Sequence, residues 1–505
     1  MTTEDSRSAP PAPRNSKELG ETREDFVVDS EQVDDKDGAN SPNTSTRSTI
    51  LYGQEPSDTF NDKVAHICSS EFRNTTFNIE HIEGGSYNRI TAVTIFPRLP
   101  AKWTLPWLRS FLPRITGRLE PQVPKNYILR TPRWDQSRNN WDISYDIPAL
   151  EFARKHLGSV VPRIVRLDTS PDNILSRPYT IQDYLPGRNL ERIWKTLTMA
   201  QKDCALRIIV DFTMKLQIIT SSSAGIIAPS NDIEHMASEE ELQLHTFKVG
   251  HNRVPTWTKP WSTHAVPQTT LEFLVEQASR WQEFEGHNDQ FVNPEWAHFK
   301  RIAQSLHDKG FIPDTDKFYF CHLDLYSRNM LVEIVDESTL LLTGVLDWDA
   351  EFAHFCPKFV AYRAPFWLWL EDDSNEWDEI GGNYEIRALS TPADADQLEL
   401  KKTFEELADE EWLRYAFEPE FIIARRVFEL LRNGVHGPEH WQEARDIFQT
   451  WQQMYPETEG LVEDDLPICG SDCSSELDED DCCESSNDGE YSEDENDDAG
   501  PKVLS

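Results

Sequence analysis

Residues 322–332 read His322-Leu323-Asp324-Leu325-Tyr326-Ser327-Arg328-Asn329-Met330-Leu331-Val332, and this stretch decides how the rest of the chain is read. A histidine stands two residues before an aspartate, and an asparagine five residues after it. Phe318-Tyr319-Phe320 precedes the loop and Met330-Leu331-Val332 follows it, so strand-like apolar residues enclose it on both sides. A second apolar run, Leu340–Leu346, stops at Asp347-Trp348-Asp349. Phosphoryl transfer to a hydroxyl needs a carboxylate that orients the nucleophile and accepts its proton, and it needs oxygen ligands for Mg²⁺. Asp324 suits the first role. Asn329 and Asp347 suit the second, because a hard dication prefers oxygen. His322 is expected to hold the loop by hydrogen bonding. A lone D-x-x-x-x-N recurs by chance; the strand–loop–strand setting and the second aspartate set it against the bland alternative of two buried polar turns.

Upstream, Glu83-Gly84-Gly85-Ser86-Tyr87-Asn88-Arg89 lies between two alternating segments, 74–83 and 88–96. Gly84 and Gly85 let backbone N–H groups approach phosphate oxygens, and Ser86 adds a hydroxyl. Alone, such a pair is most often a hairpin turn. Arg130 ends a short strand, 127–130, where a cation can hold phosphates; Asp146 opens a helix, 146–157, where it can orient that cation. Their bland readings are a surface arginine and an acid favoured by the helix dipole. Gln182 to Leu185, including Tyr184, ends a further strand and would join two lobes while offering backbone groups to a base edge.

These elements in this order resemble the aminoglycoside phosphotransferase family, which includes choline kinase-like enzymes and has a protein-kinase-like fold. The likeness runs over roughly residues 60–455, and the fungal-type variant, in which arginine replaces the nucleotide-binding lysine, fits Leu129-Arg130-Thr131-Pro132. The resemblance implies a base at Asp324, metal ligands at Asn329 and Asp347, and ATP with Mg²⁺ as cofactors. Three positions depart from the family pattern: Leu323 replaces a glycine, Arg130 a lysine, and Asp146 a glutamate. A planar guanidinium is not equivalent to an ammonium. Neither the base nor a metal ligand is lost.

The whole chain then reads as an α+β protein with a two-lobed, protein-kinase-like fold. Residues 1–50 form a disordered N-terminal segment, 51–185 a small β-rich N-lobe, 186–456 a larger helical C-lobe, and 457–505 a disordered acidic tail. Residues 98–124 are expected as a long loop, 203–219 as a helix, and 404–416, 420–433 and 440–454 as helices, with a two-strand interruption of the helical half. The 505 residues carry a net charge of -40. The tail contributes 19 acids against one base, leaving -22 on the remainder. An acidic body argues against nucleic acid, whose phosphates need clustered Lys and Arg. No secretory signal, lipidation signal or membrane-length apolar run is visible, so no membrane partner is expected. Cys68, Cys204, Cys321 and Cys356 read as buried thiols of a reducing compartment, which places the chain in the cytosol with the nucleus as alternative. Aromatic residues after the metal motif (Phe352, Phe355, Tyr362, Phe366, Trp367, Trp369) with Glu371, Asp372 and Asp373 would receive a cationic small molecule, against a stronger reading as core and solvated helix end. A catalytically silent nucleotide-binding module is the chief rival. A protein kinase is disfavoured by the lack of a clear D-F-G and A-P-E pair. Acceptor and oligomeric state are left open.

Overall fold

The computed structural model describes residues 55–82, 88–97, 123–133, 143–229, 242–250, 262–287, 292–370, 385–386 and 389–456. The N-lobe opens with helix α1 (Ser57–Glu71), followed by strands β1 (Thr75–Ile82), β2 (Asn88–Pro97) and β3 (Lys125–Pro132), helix α2 (Ile143–Leu157), and strands β4 (Ile164–Asp168) and β5 (Tyr179–Asp183). The strands make one antiparallel sheet in the order β1-β2-β3-β5-β4. In β2 every second residue is buried, the alternation expected of a sheet with one face on a core. That face packs Val93, Ile95, Tyr127, Leu129 and Ile181 against Phe60, Val64, Ile67 and Cys68 of α1. Full burial of side chains of this size contributes about 1.5–3 kcal/mol each.

The C-lobe adds β6 (Arg188–Asn189), α3 (Met199–Gln217), β7 (Thr220–Ser221), β8 (Gly225–Ile227), β9 (Leu244–His245), α4 (Thr270–His287) and α5 (Glu295–Asp308). Then come β10 (Phe318–His322), β11 (Met330–Ile334), β12 (Leu340–Val345) and β13 (Ala353–Cys356). It closes with α6 (Ala395–Leu407), α7 (Glu410–Phe417), α8 (Pro419–Asn433) and α9 (Gly437–Met454). Strands pair as β7-β10-β13-β8-β9 and β12-β11-β6. The large core holds Trp281, Trp296, Trp348 and Trp451, all nearly inaccessible, with Phe318, Phe320 and Phe355 of the β10–β13 pair. This is the expected α+β arrangement, strands first and helices after, with the loop 322–329 suspended between β10 and β11.

Several expectations need correction. Among the described residues the helical half contains eight strands, not two: β6 to β9, of two or three residues each, are too short to show periodicity, and β11 and β13 have only five and four. Segment 404–416 is two helices: Asp409 accepts from the Trp412 N–H and starts α7 afresh. Helix α2 begins three residues before Asp146, which puts Pro148 beyond the first turn. Helix α3 starts at Met199 behind a Thr198–Gln201 capping box and ends at Gln217; Met214 is exposed rather than part of the buried stripe. Helix α1 was not anticipated, although Phe60, Val64, Ile67 and Cys68 have helical spacing. Residues 1–50, 98–122 and 457–505, the expected tails and most of the expected long loop, lie outside the described residues.

Candidate active site

The loop after β10 is fixed at its first residues. The Asp324 N–H donates to His322 Nδ1 at 3.2 Å, so His322 carries its proton on Nε2 and donates it to the Leu346 carbonyl at 2.8 Å. One imidazole therefore ties the start of the loop to the end of the strand that delivers Asp347. Burial holds the His322 pKa below its ordinary value, as a neutral cross-link requires, and the Trp348 ring stands edge-on to it at 4.6 Å. Leu323 donates its N–H to Phe352 at 2.9 Å. Its φ is not positive, so a side chain fits where the family has glycine.

Asp324 is nearly buried. Asn329 Nδ2 donates to the Asp324 carbonyl at 2.9 Å and to its carboxylate Oδ2 at 2.7 Å. An amide that spends its nitrogen this way leaves its oxygen, Oδ1, as the atom for a metal. The other carboxylate oxygen of Asp324, Oδ1, accepts from Arg328 Nη2. Burial pushes the Asp324 carboxyl up, and Arg328 and His322 pull it back.

Asp347 follows β12 with φ +66°, a left-handed conformation that costs a β-carbon residue about 1–2 kcal/mol and is kept where surroundings over-determine it. Its Oδ1 accepts from Arg130 Nη2 at 2.6 Å, and Asp349 Oδ2 accepts from the same nitrogen at 2.5 Å. Asn88, just after the glycine-rich stretch, completes the surroundings of the guanidinium: with its amide oxygen turned inward it accepts from Arg130 Nε at 3.1 Å and Nη2 at 2.7 Å. Burial opposes the charge on Arg130, yet Asp349, Asp347 and Asp146 together raise its pKa. Burial likewise holds the Asp349 carboxyl well above the ordinary carboxylate range, with Asp146 and Asp347 adding to it against Arg130. Two carboxylates thus share one guanidinium nitrogen, with Asp146 near enough to add to the field, and carboxylate oxygens gathered this way suit a divalent cation.

Asp146 lies close enough to add to this field, but its Oδ1 accepts from the Ala350 N–H at 2.9 Å. The expected pairing, in which Asp146 orients Arg130, is corrected to this extent: Asp347 and Asp349 make the close ion pairs to Arg130. One methylene fewer than glutamate shortens the reach of Asp146. Gly84, Gly85 and Ser86 lie outside the described residues. Gln182 is buried in β5 and donates from Nε2 to Thr180 at 3.1 Å. Tyr184 is 43% exposed, and its N–H donates to the Asn126 carbonyl at 3.3 Å, while that of Asp183 goes to Arg163 at 2.9 Å. Both of these hinge N–H groups are thus engaged inside the N-lobe.

Of the aromatic residues read as a cation cage, Phe355, Phe366 and Trp369 are core, and Glu371, Asp372 and Asp373 lie outside the described residues. Trp367 donates its indole N–H to the Leu325 carbonyl at 3.1 Å and braces the catalytic loop. The described neighbours of that loop include cations. Arg363 donates to the Tyr326 hydroxyl at 3.1 Å and pairs with Glu385 at 2.7 Å, which also pairs with the buried Arg425 at 2.7 Å.

The sequence reading omitted Asn88, Arg328, Asp349 and Arg363. Arg328 stands four residues after Asp324, the spacing of an ion pair on a helical turn, and Asp349 repeats the acid of Asp347 two residues on. Both signals were in the sequence. Arg363 and Glu385 meet the loop only through tertiary packing.

Residues 118–350, from before β3 to just past Asp349, match the model of the phosphotransferase enzyme family. Among curated proteins, the altered inheritance of mitochondria protein 9 of Saccharomyces cerevisiae is 24% identical over 125 residues, 23% of this chain and 20% of the relative. Its Eremothecium gossypii counterpart is 21% identical over 317 residues, 52% of this chain and 51% of the relative. The chain thus spans at most about half the length of these relatives. Among solved structures, aminoglycoside phosphotransferase APH(4)-Ia is 13% identical, with 79% of this chain and 99% of that one covered at a TM-score of 0.38. APH(2")-IIIa in complex with GDP and kanamycin is 13% identical, with 78% and 98% covered and a TM-score of 0.35.

Proposed function

We propose that the chain is a Mg²⁺- and ATP-dependent phosphotransferase acting on the hydroxyl of a small molecule. The observation that carries the reading is the division of labour in the loop: Asn329 spends its amide nitrogen on Asp324 and keeps its oxygen, with Asp347 and Asp349 around the next strand end. Asp324 orients the acceptor hydroxyl and takes its proton. Asn329 Oδ1 and the Asp347 carboxylate would hold Mg²⁺, which supplies charge neutralisation for the phosphates. Among the described residues no cluster of three or more His, Cys, Asp or Glu is arranged as a metal cage. Two protein oxygens plus phosphate and water is the usual provision for Mg²⁺.

The glycine-rich stretch, Gly84-Gly85-Ser86, would cover the phosphates, and the segment from Gln182 to Tyr184 would meet the base. Arg130, which pairs with Asp347 and Asp349, would bind the phosphates. Aminoglycosides and amino alcohols are the first acceptors to test, and the reducing compartment inferred from four free thiols is the cytosol or nucleus. No described helix is long and apolar enough to cross a membrane.

The hold of Arg130 on Asp347 also favours a second reading, a nucleotide-binding module without turnover. One assay separates the two. Mg-ATP is added to the purified chain and phosphate release or transfer to the acceptor panel is followed. Nucleotide binding without any turnover, across the whole panel and with water, selects the silent module.

A further inference from the structure

We propose that Arg328 is a further catalytic residue: its guanidinium, bonded to Asp324, is released from it and lies against the phosphoryl group in transfer. The inference rests on the phosphotransferase reading above. Arg328 Nη2 bonds Oδ1 of Asp324, and Arg328 Nε lies 3.4 Å from Oδ2. Oδ2 is also bonded by Asn329 at 2.7 Å. Asn329 must stay where it is to present its own oxygen to a metal, so Oδ1 is the oxygen that has to receive the acceptor's hydroxyl. With Arg328 on it that oxygen has less affinity for the hydroxyl's proton, so Arg328 leaves it for Asp324 to act as a base.

The rest of the loop permits this movement of a side chain without movement of the backbone. The Arg328 carbonyl accepts from Asn189 Nδ2 at 2.7 Å, which fixes the main chain. Its side chain is 29% exposed, against 10% for Asp324. The face of Tyr326 lies 4.8 Å from the Arg328 guanidinium carbon and gives it an aromatic surface to rest on. Arg363 fixes that ring through its hydroxyl. Arg130, the other guanidinium of the site, is held by Asp347 and Asp349 on its Nη2. Charge that builds on the transferred group needs a cation on the acceptor side, and Arg328 is bonded to the base itself.

In the step, the acceptor oxygen forms a bond to the γ-phosphorus, the bond from that phosphorus to the bridging oxygen breaks to leave ADP, and the hydroxyl proton goes to Asp324 Oδ1. Arg328 exchanges one anionic partner for another. No group is oxidised or reduced.

The test uses the full chain with Mg-ATP, water serving as acceptor, and reads phosphate release together with the thermal shift on nucleotide binding. Arg328→Gln should lower kcat about 100-fold or more while the KM for Mg-ATP stays within about threefold. Arg328→Lys should recover part of the loss, and added guanidinium should partly restore Arg328→Ala. Unchanged or raised turnover in Arg328→Gln overturns the proposal, as does a rise in KM that accounts for the whole loss. Should Arg328→Gln lack a cooperative melt, Arg328→Lys decides: about a tenfold loss in kcat at constant KM supports the proposal, and the wild-type rate sinks it. A wild-type chain that binds Mg-ATP and turns over neither with water nor with any acceptor of the panel overturns the underlying phosphotransferase reading and this inference with it.

Discussion

Asn329 and Asp324 are joined twice, through the carbonyl and through the carboxylate of the aspartate, at 2.9 and 2.7 Å from a single amide nitrogen. The group that would hold the metal therefore sets the angle of the group that would accept the proton. Replacing Asn329 by Ala removes both bonds and one metal ligand together. Turnover should fall, and the Mg²⁺ concentration for half-maximal rate should rise about tenfold or more, since each bond to a charged or buried partner is worth about 1–3 kcal/mol. A magnesium titration of phosphate release checks it; an unchanged midpoint excludes Asn329 as a ligand.

Asp324→Asn keeps the shape of the base and removes its proton affinity. Loss of a general base costs about 10²–10⁴ in rate. Mg-ATP affinity, read by thermal shift, should change little, because the proposed metal grip lies at Asn329 and Asp347. Retained full activity would falsify the assigned role.

Arg130→Ala should destabilise the fold as well as weaken nucleotide binding. It leaves the half-buried Asp349 beside Asp347 with the bridging guanidinium gone, a loss smaller than the ~3–5 kcal/mol of a fully buried pair. Arg130→Lys should restore only part, since an ammonium cannot reach Asp347, Asp349 and Asn88 in one planar arrangement. Urea unfolding of the three proteins measures this, and equal midpoints would contradict the pairing.

His354 gives a pH prediction. It is buried on β13 with Nε2 bonded to the Ala350 carbonyl, and burial, with Arg432 adding, lowers its pKa to about 3. Unfolded, it titrates near 6.5. Below that value the unfolded chain gains a proton that the folded chain refuses. The stabilising contribution is complete above about pH 6.5 and declines as pH falls toward about 3, by about 1.4 kcal/mol per pH unit. His354→Phe should flatten the acid limb of a stability–pH curve. An equally steep limb in the variant assigns the acid sensitivity elsewhere.

The sequence carried the site better than it carried the scaffold. His322, Asp324, Asn329 and Asp347 are legible as a group because they stand at fixed spacing along one strand–loop–strand unit, and the structure places them close together. The strand-rich first half is legible because β2 alternates over its whole length. The short strands β6 to β9 are not, since two or three residues carry no period. Arg130 was read as a phosphate ligand. Its grip on Asp347 and Asp349, 217 and 219 residues away, depends on how the two lobes face each other, which no local pattern encodes. The same holds for Arg363 and Glu385, whose only route to the loop is through packing.

The grip of Arg130 on two carboxylates has a consequence for how the cleft is filled. One partner comes from the N-lobe and the other two from the C-lobe, so the ion pair works as a clasp across the opening. Mg²⁺ held at Asp347 would compete with Arg130 for that carboxylate, and phosphates in the cleft would offer the guanidinium another counterion. Loading then becomes a counterion exchange in which the cleft carboxylates are never left without a cation.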